Sequence, residues 1–309
     1  MNLDPSTQIN LFEHKEIFNH LSQLYKNNNL PNKILLSGEE GVGKSTLAYH
    51  LINFVLSENE EYFYDYKHYT INPKNKSYKL IQNKSNPNFY LIDILEDKKN
   101  IDINQIRELI LNLNKSSFNN KKRFVLIDNM ELLNINSVNA LLKVLEEPNG
   151  NINFILINNN KRVIPTLKSR CLNYKIFLTR TQSIKIINQI INEDINNIIN
   201  NKLLDNYATP GKLYKLIALS KEYDFDLLNI DLNNFLKTLF REKIYKKDKS
   251  INKVIYSFIE LYFRNNISIK NINLLQSYHY FLEKINNTKF YNLDEETLFM
   301  EFEDKVLNG

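Results

Sequence analysis

The sequence predicts an α/β fold built on a parallel sheet, followed by an all-helical C-terminal part. Three observations carry this. First, the 309 residues hold only six glycines, and Gly38, Gly41 and Gly43 fall within six positions. They lie in Ser37-Gly38-Glu39-Glu40-Gly41-Val42-Gly43-Lys44-Ser45-Thr46, the G-x-x-x-x-G-K-S spacing of a P-loop. Second, from about residue 30 to 176 strand-like apolar runs alternate with helix-like stripes, as in a sheet covered by helices. Third, beyond about residue 178 strand alternation stops, and Ile-, Leu- and Asn-rich text of helical spacing replaces it.

Taken in order, residues 34–37 read as a short buried strand entering the glycine run. Leu47, Ala48, Leu51, Ile52 and Val55 then recur at helical spacing from Lys44. A helix starting there directs its N-terminus, where the dipole favours anions, at whatever the loop holds. Glycines let successive N–H groups turn inward on phosphate oxygens. Lys44 would reach the β/γ-phosphates and the Ser45 hydroxyl would hold Mg²⁺. Residues 57–88 are charged and Tyr-rich without alternation, and read as an irregular excursion. Strands follow at 89–94, 123–128 and 153–157. Helices start near Asp102 and Asn136; the second carries Val138, Leu141, Leu142 and Leu145 and is closed by Pro148 and Gly150. A short helical pattern covers 164–168. Thr209-Pro210-Gly211 punctuates the C-terminal part once. Stripes such as Phe235, Leu239 and Ile244, and Ile255, Phe258, Ile259 and Tyr262, are expected to pack as a helical bundle.

At 36.7 kDa the chain has room for two or three domains. Apolar runs stay far short of a membrane span, and the N-terminus lacks a signal-peptide pattern. The single Cys171 excludes internal disulfides and Cys-based zinc clusters, and points to a reducing cytoplasm. A net charge of +5 permits nucleic-acid contact without requiring it. The five histidines show no metal spacing. The basic run from Arg241 to Lys249 has interleaved acids and reads as a solvated helix end.

The run Phe124-Val125-Leu126-Ile127-Asp128 is an apolar strand ending in an acid, which in P-loop proteins helps to hold Mg²⁺. P-loop ATPases of this layout place a Glu after that Asp to polarise water; here it is Asn129, which cannot accept the proton. Glu39 and Glu40 put two carboxylates in the loop and read as a solvated pair facing away from the phosphates.

Ser169-Arg170-Cys171 and the block from Asn139 to Pro148 (N-A-L-L-K-V-L-E-E-P) complete a set with Gly38 to Ser45, Ile103 to Arg107 and Val125 to Asp128. On these residues, spanning about 30 to 215, the chain resembles clamp-loader subunits of the AAA+ ATPase family, and among them the delta-prime type of bacterial DNA polymerase III. The resemblance implies a RecA-like AAA+ domain over 1–176, a helical lid over 177–220 and a helical collar for oligomerisation over 221–309. It makes Arg170 an arginine finger acting in trans on a neighbour's γ-phosphate. It assigns nucleotide binding to Gly38, Gly41, Gly43, Lys44, Ser45, Thr46 and Asp128, with Ser45 and Asp128 holding Mg²⁺ through ATP. Asn158 or Asn159 falls at the first nucleotide sensor and Lys212 at the second, where relatives usually have Arg. The implied partners are motor and delta subunits, and indirectly the sliding clamp and primed DNA.

Two departures matter. Many relatives carry a four-Cys zinc module in the region of 57–88; this chain has no Cys there, so no zinc is implied. Asn129 fits a stator that donates its finger without hydrolysing ATP, although Lys44 and Ser45 persist. A hydrolysing motor subunit, a structural subunit with a vestigial P-loop, and a P-loop kinase remain alternatives; the kinase needs an acceptor pocket and a basic lid that are not evident between 129 and 165.

Overall fold

The computed structural model describes residues 4–95, 98, 100–115, 121–146, 151–161, 163–204, 208–247, 251–267, 272–291 and 293–308. Pro148 and Gly150, expected to close a helix, lie outside them, as do Glu147, Asp248 and Lys249. The chain divides into two compact units: 1–186 with 209–211, and 187–208 with 212–309.

The first unit is a five-stranded parallel sheet with flanking helices. Its strands are β1 Lys33–Ser37, β2 Phe89–Ile92, β3 Arg123–Ile127, β4 Ile152–Asn158 and β5 Leu172–Lys175, in the order β2-β3-β4-β1-β5. β3 and β4 are buried throughout, which is why their apolar stretches 124–127 and 154–157 do not alternate with polar residues. β5 is an edge strand with half-exposed residues. Its Leu-Asn-Tyr-Lys text has too little apolar character to announce a strand, and only pairing with β1 defines it.

Helix α1 spans Lys15–Lys26, α2 Lys44–Leu56, α3 Lys76–Gln82, α4 Ile103–Leu113, α5 Ile135–Glu146 and α6 Pro165–Lys168. α4 starts on a full capping box, with Asp102 accepting from the backbone and Gln105 answering it. Ile106, Leu109 and Leu113 of α4 and Val138, Leu141 and Leu145 of α5 pack on Val125, Ile127, Phe154 and Leu156 of the sheet. Arg123 is buried at the start of β3, where its guanidinium donates to the carbonyls of Leu113 and Lys115 and closes the C-terminus of α4.

The irregular excursion expected over 57–88 contains α3. Its start combines a local cap with a more distant acid: Asn75 at the N-cap accepts from Tyr78 N, and the Glu60 carboxylate accepts from Lys76 N, Ser77 N and Ser77 Oγ. α1 also goes beyond the sequence expectation. His14 at its N-cap is left-handed and makes no capping hydrogen bond, so the usual start signal is missing.

One buried contact of the excursion has a pH signature. His50 on α2 is fully buried between Tyr64 OH (2.9 Å from Nδ1) and the Gln8 carbonyl (3.2 Å from Nε2). A carbonyl only accepts, so Nε2 carries the proton and Nδ1 accepts from Tyr64. Burial lowers the imidazole from 6.5 to about 4. Between these values the unfolded chain binds a proton that the folded chain refuses, so stability falls as pH drops from 6.5 to 4. The expected loss is about 3 kcal/mol. Denaturant unfolding at pH 7 and pH 4 checks it: His50→Gln should lose that much less than the unmodified chain over this interval.

The later helices are α7 Arg180–Ile191, α8 Asn201–Leu204, α9 Pro210–Glu222, α10 Leu232–Arg241, α11 Ile244–Lys247, α12 Asn252–Asn266, α13 Ile272–Tyr291 and α14 Glu295–Phe302, and in the second unit α10, α12, α13 and α14 enclose an aromatic core. Phe302 lies against Phe240, Tyr262, Phe263 and Phe281. The stripe residues Phe235, Leu239, Ile244, Ile255, Phe258 and Ile259 are buried, as their periodicity predicts, and Tyr262 at the end of the second stripe is half-buried. Within the basic run, Lys243 and Lys246 pair with Glu296 of α14. Among the described residues, no helix is long and apolar enough to cross a membrane.

Candidate functional site

The carboxyl ends of β1, β3 and β4 lie side by side, the edge at which open parallel sheets hold ligands. From β1 the chain enters the glycine loop and then α2. Gly41 and Gly43 have φ of 84° and 93°, a left-handed conformation open to glycine and strained for most other residues. Gly38 is required for a different reason: a Cβ there would stand 2.1 Å from the Ile176 carbonyl oxygen.

Lys44 is buried, and its Nζ donates to the carbonyls of Gly38 (2.9 Å) and Glu39 (2.6 Å). Burial pulls its pKa down to about 8, against the opposing pull of Asp128, Glu131, Glu40 and Glu39. Glu39 and Glu40 are half-buried, so their carboxylates contribute to the field at Lys44. Ser45 Oγ donates to Asp128 Oδ2 at 2.7 Å, which joins the two expected Mg²⁺ holders directly. Burial raises the Asp128 carboxyl, Asp93 adds to the rise, and the Ser45 bond opposes it. Thr46 lies in the first turn of α2, half-buried.

Asn129 is left-handed, with φ 53°. Its side chain donates from Nδ2 to Asp93 Oδ1 (2.9 Å) and accepts at Oδ1 from Asn159 Nδ2 (2.8 Å). Asn159 also donates to Glu131, from Nδ2 at 3.0 Å and from its backbone N–H at 3.3 Å. Asn158 does something else: its side chain closes its own turn against the Lys161 backbone, and its carbonyl accepts from Gly38 N. The amide that joins the cluster at the strand ends is therefore that of Asn159. Asp93 and Glu131 were not anticipated; each is an acid at a strand or turn end with no motif around it.

Arg170 follows α6. Its guanidinium donates to the Thr166 carbonyl (2.7 Å) and pairs with Glu146 at the end of α5 (2.7 Å). Cys171 is partly buried against the sheet core, and burial pushes its thiol up to about 11, which suits a filler and not a nucleophile. Lys212, in helix α9 (Pro210–Glu222), belongs to the second unit and is half-buried. Among the described residues, no group of three or more His, Cys, Asp or Glu is placed to hold a metal ion.

Residues 13–179 match the family model described as "DNA polymerase III, delta subunit". The chain is 31% identical over 138 residues to DNA polymerase III subunit delta' of Pseudomonas aeruginosa, a match covering 44% of this chain and 40% of that protein. It is 29% identical over 209 residues to DNA polymerase III subunit gamma of Buchnera aphidicola subsp. Schizaphis graminum, covering 66% of this chain and 55% of that one. These matches span about half the length of either relative. A DNA polymerase III gamma subunit-related protein from Thermotoga maritima shares the fold, with a TM-score of 0.51 over 91% of this chain and 96% of its own, at 18% identity. The family match takes in the P-loop, the acid-ended strand β3 and the Ser-Arg-Cys triplet, more than half of the chain, and the protein belongs to the DNA polymerase III delta-subunit family of clamp-loader AAA+ proteins.

Proposed function

We propose that this chain is a delta-prime-type stator of a cytoplasmic clamp loader. It holds a nucleotide without turning it over efficiently and presents Arg170 to the ATP site of a neighbouring subunit. The observation that carries this reading is Asn129 directly after Asp128, with its amide engaged by Asp93 and Asn159. A water at this position meets an amide where efficient hydrolysis calls for a carboxylate, and loss of a general base costs about 10²–10⁴ in rate.

The loop nevertheless suits a phosphate chain with Mg²⁺: Gly41 and Gly43 are left-handed, and Ser45 and Asp128 are already in contact. Bound ATP/Mg would supply the phosphates whose presence Lys44 and Asn159 can register. Lys44 would exchange its two loop carbonyls for phosphate oxygens. Assembly would use a lid near 177–220 and a collar near 221–309, with motor and delta subunits as partners and the sliding clamp and primed DNA reached through them.

The intact Lys44, Ser45 and Asp128 favour a second reading, a hydrolysing motor subunit, and one assay separates the two. The isolated full chain should release phosphate well below about 1 s⁻¹, the low end of ordinary enzymes. Turnover at or above that rate would overturn the stator. Asn129→Glu alone would set a carboxylate against Asp93, so the informative variant is the exchange Asp93→Asn with Asn129→Glu. It preserves the charge and the hydrogen bond while moving the acid to position 129, and should raise turnover about 100-fold.

A further inference from the structure

Every carbonyl of the loop from Gly38 to Gly43 accepts a hydrogen bond. Lys44 takes those of Gly38 and Glu39, and Leu47 N takes that of Gly43 as the first bond of α2. The three between them are held by groups from elsewhere in the first unit. Thr209 Oγ1 donates to Glu40 O at 2.7 Å, Gly211 N to Gly41 O at 3.1 Å, and His14 Nε2 to Val42 O at 2.7 Å. Val42 O can only accept, so His14 carries its proton on Nε2. Burial lowers this imidazole, and the Nε2–H donor is present in its neutral form.

Among the described residues no peptide bond is cis, and in a trans peptide the C=O and the following N–H point in opposite directions. Fixing the carbonyls of Glu40, Gly41 and Val42 outward therefore fixes the N–H groups of Gly41, Val42 and Gly43 inward. Three successive inward N–H groups form an anion-binding nest. The approach behind the loop is close enough to require glycine on both sides. A Cβ on Gly211 would stand 2.7 Å from Gly41 Cα, and one on Gly41 would stand 2.6 Å from Thr209 Oγ1. Residues 209–211 belong to the first unit although both flanking segments belong to the second.

We infer that His14, Thr209 and Gly211 are positioning residues for a nucleotide's phosphate chain, holding the loop in its anion-binding form from behind. The inference rests on the nucleotide-binding part of the function proposed above. None of the three touches phosphate in this scheme; each acts through a loop carbonyl.

The test is equilibrium binding of Mg-ADP and of a slowly hydrolysed Mg-ATP analogue to the full chain, with thermal unfolding of every variant. Thr209→Val and His14→Ala should each weaken binding about 5–10-fold, the worth of one orienting hydrogen bond. Thr209→Ser, which keeps the hydroxyl, should bind within about twofold of the unmodified chain, and His14→Gln should recover part of the loss by supplying an N–H donor. Gly211→Ala, which helix propensity alone would favour, should weaken binding as well. Unchanged affinity in Thr209→Val and His14→Ala overturns the inference and leaves nucleotide binding standing, as does equal loss in Thr209→Val and Thr209→Ser. If Thr209→Val does not fold, the half-buried His14 and its Ala–Gln pair decide. No binding by the unmodified chain, indistinguishable from Lys44→Ala, overturns the nucleotide reading and this inference together.

Discussion

Arg170→Ala is expected to slow ATP hydrolysis at one neighbouring site of a reconstituted loader by about 10³–10⁵-fold, the contribution of an arginine finger. This chain should stay folded. The Arg170 side chain is 33% exposed and its partner Glu146 53%, so the ion pair is well solvated and contributes about 0–1 kcal/mol. The two effects therefore separate: a large kinetic loss at another subunit's site and a nearly unchanged melting temperature here. Glu146 and the Thr166 carbonyl hold the guanidinium in the isolated chain; reaching a γ-phosphate in trans would exchange the Glu146 contact for phosphate oxygens. Arg170→Lys should recover little, because an ammonium lacks the planar fork. The measurement is ATP hydrolysed per clamp loaded, with all other subunits unmodified. A count and rate equal to those of the unmodified complex would remove Arg170 from this role.

Phe18→Ala should cost about 3–5 kcal/mol, the range for emptying a buried aromatic site. Phe18 on α1 is fully buried, and its ring meets Phe54 at 5.8 Å, Tyr64 at 5.2 Å, Tyr66 at 6.0 Å and Tyr69 at 5.8 Å between centroids. Lys26 lies over the Tyr66 ring at 4.5 Å and Lys15 over Tyr69 at 5.0 Å. Aromatic packing thus ties the Tyr-rich excursion to α1 and α2. Chemical unfolding of the full chain should show the loss, and hydrogen exchange should show faster opening around Tyr64 to Tyr69. A loss under about 1 kcal/mol would mean that the site collapses around the missing ring and that these contacts do little to hold the segment.

The parts of the site that were legible in the sequence are those whose chemistry is local. Gly41 and Gly43 adopt the backbone that their spacing predicts, Lys44 starts α2, and the apolar stretch 124–127 of β3 delivers Asp128 to Ser45 across 83 positions. β5 and α1 were not legible. One is an edge strand specified by its neighbour, and the other begins at a left-handed His14 without a cap. Asn158, the last residue of β4, and Asn159, which follows it, could not be ranked from sequence, because a one-residue step reverses the direction of a side chain on a strand. Only the fold directs Asn159 to Asn129 and Glu131 and leaves Asn158 to its own turn.

The sequence by itself determined that this chain has a P-loop on a parallel sheet, an acid on the neighbouring strand end, Asn129 where a base would stand, and a helical C-terminal part. Each follows from residue type and short-range spacing, through backbone freedom at glycine, burial of apolar runs and the period of a helix. Only the tertiary structure decided what lies behind and around the loop. His14 and Thr209 reach Val42 and Glu40 across 28 and 169 positions, and Asp93 meets Asn129 across 36. Hydrogen bonds to backbone carbonyls ask only for a donor at the right place. They leave no motif in the chain, because many residue types can donate and the geometry that selects one exists only after folding.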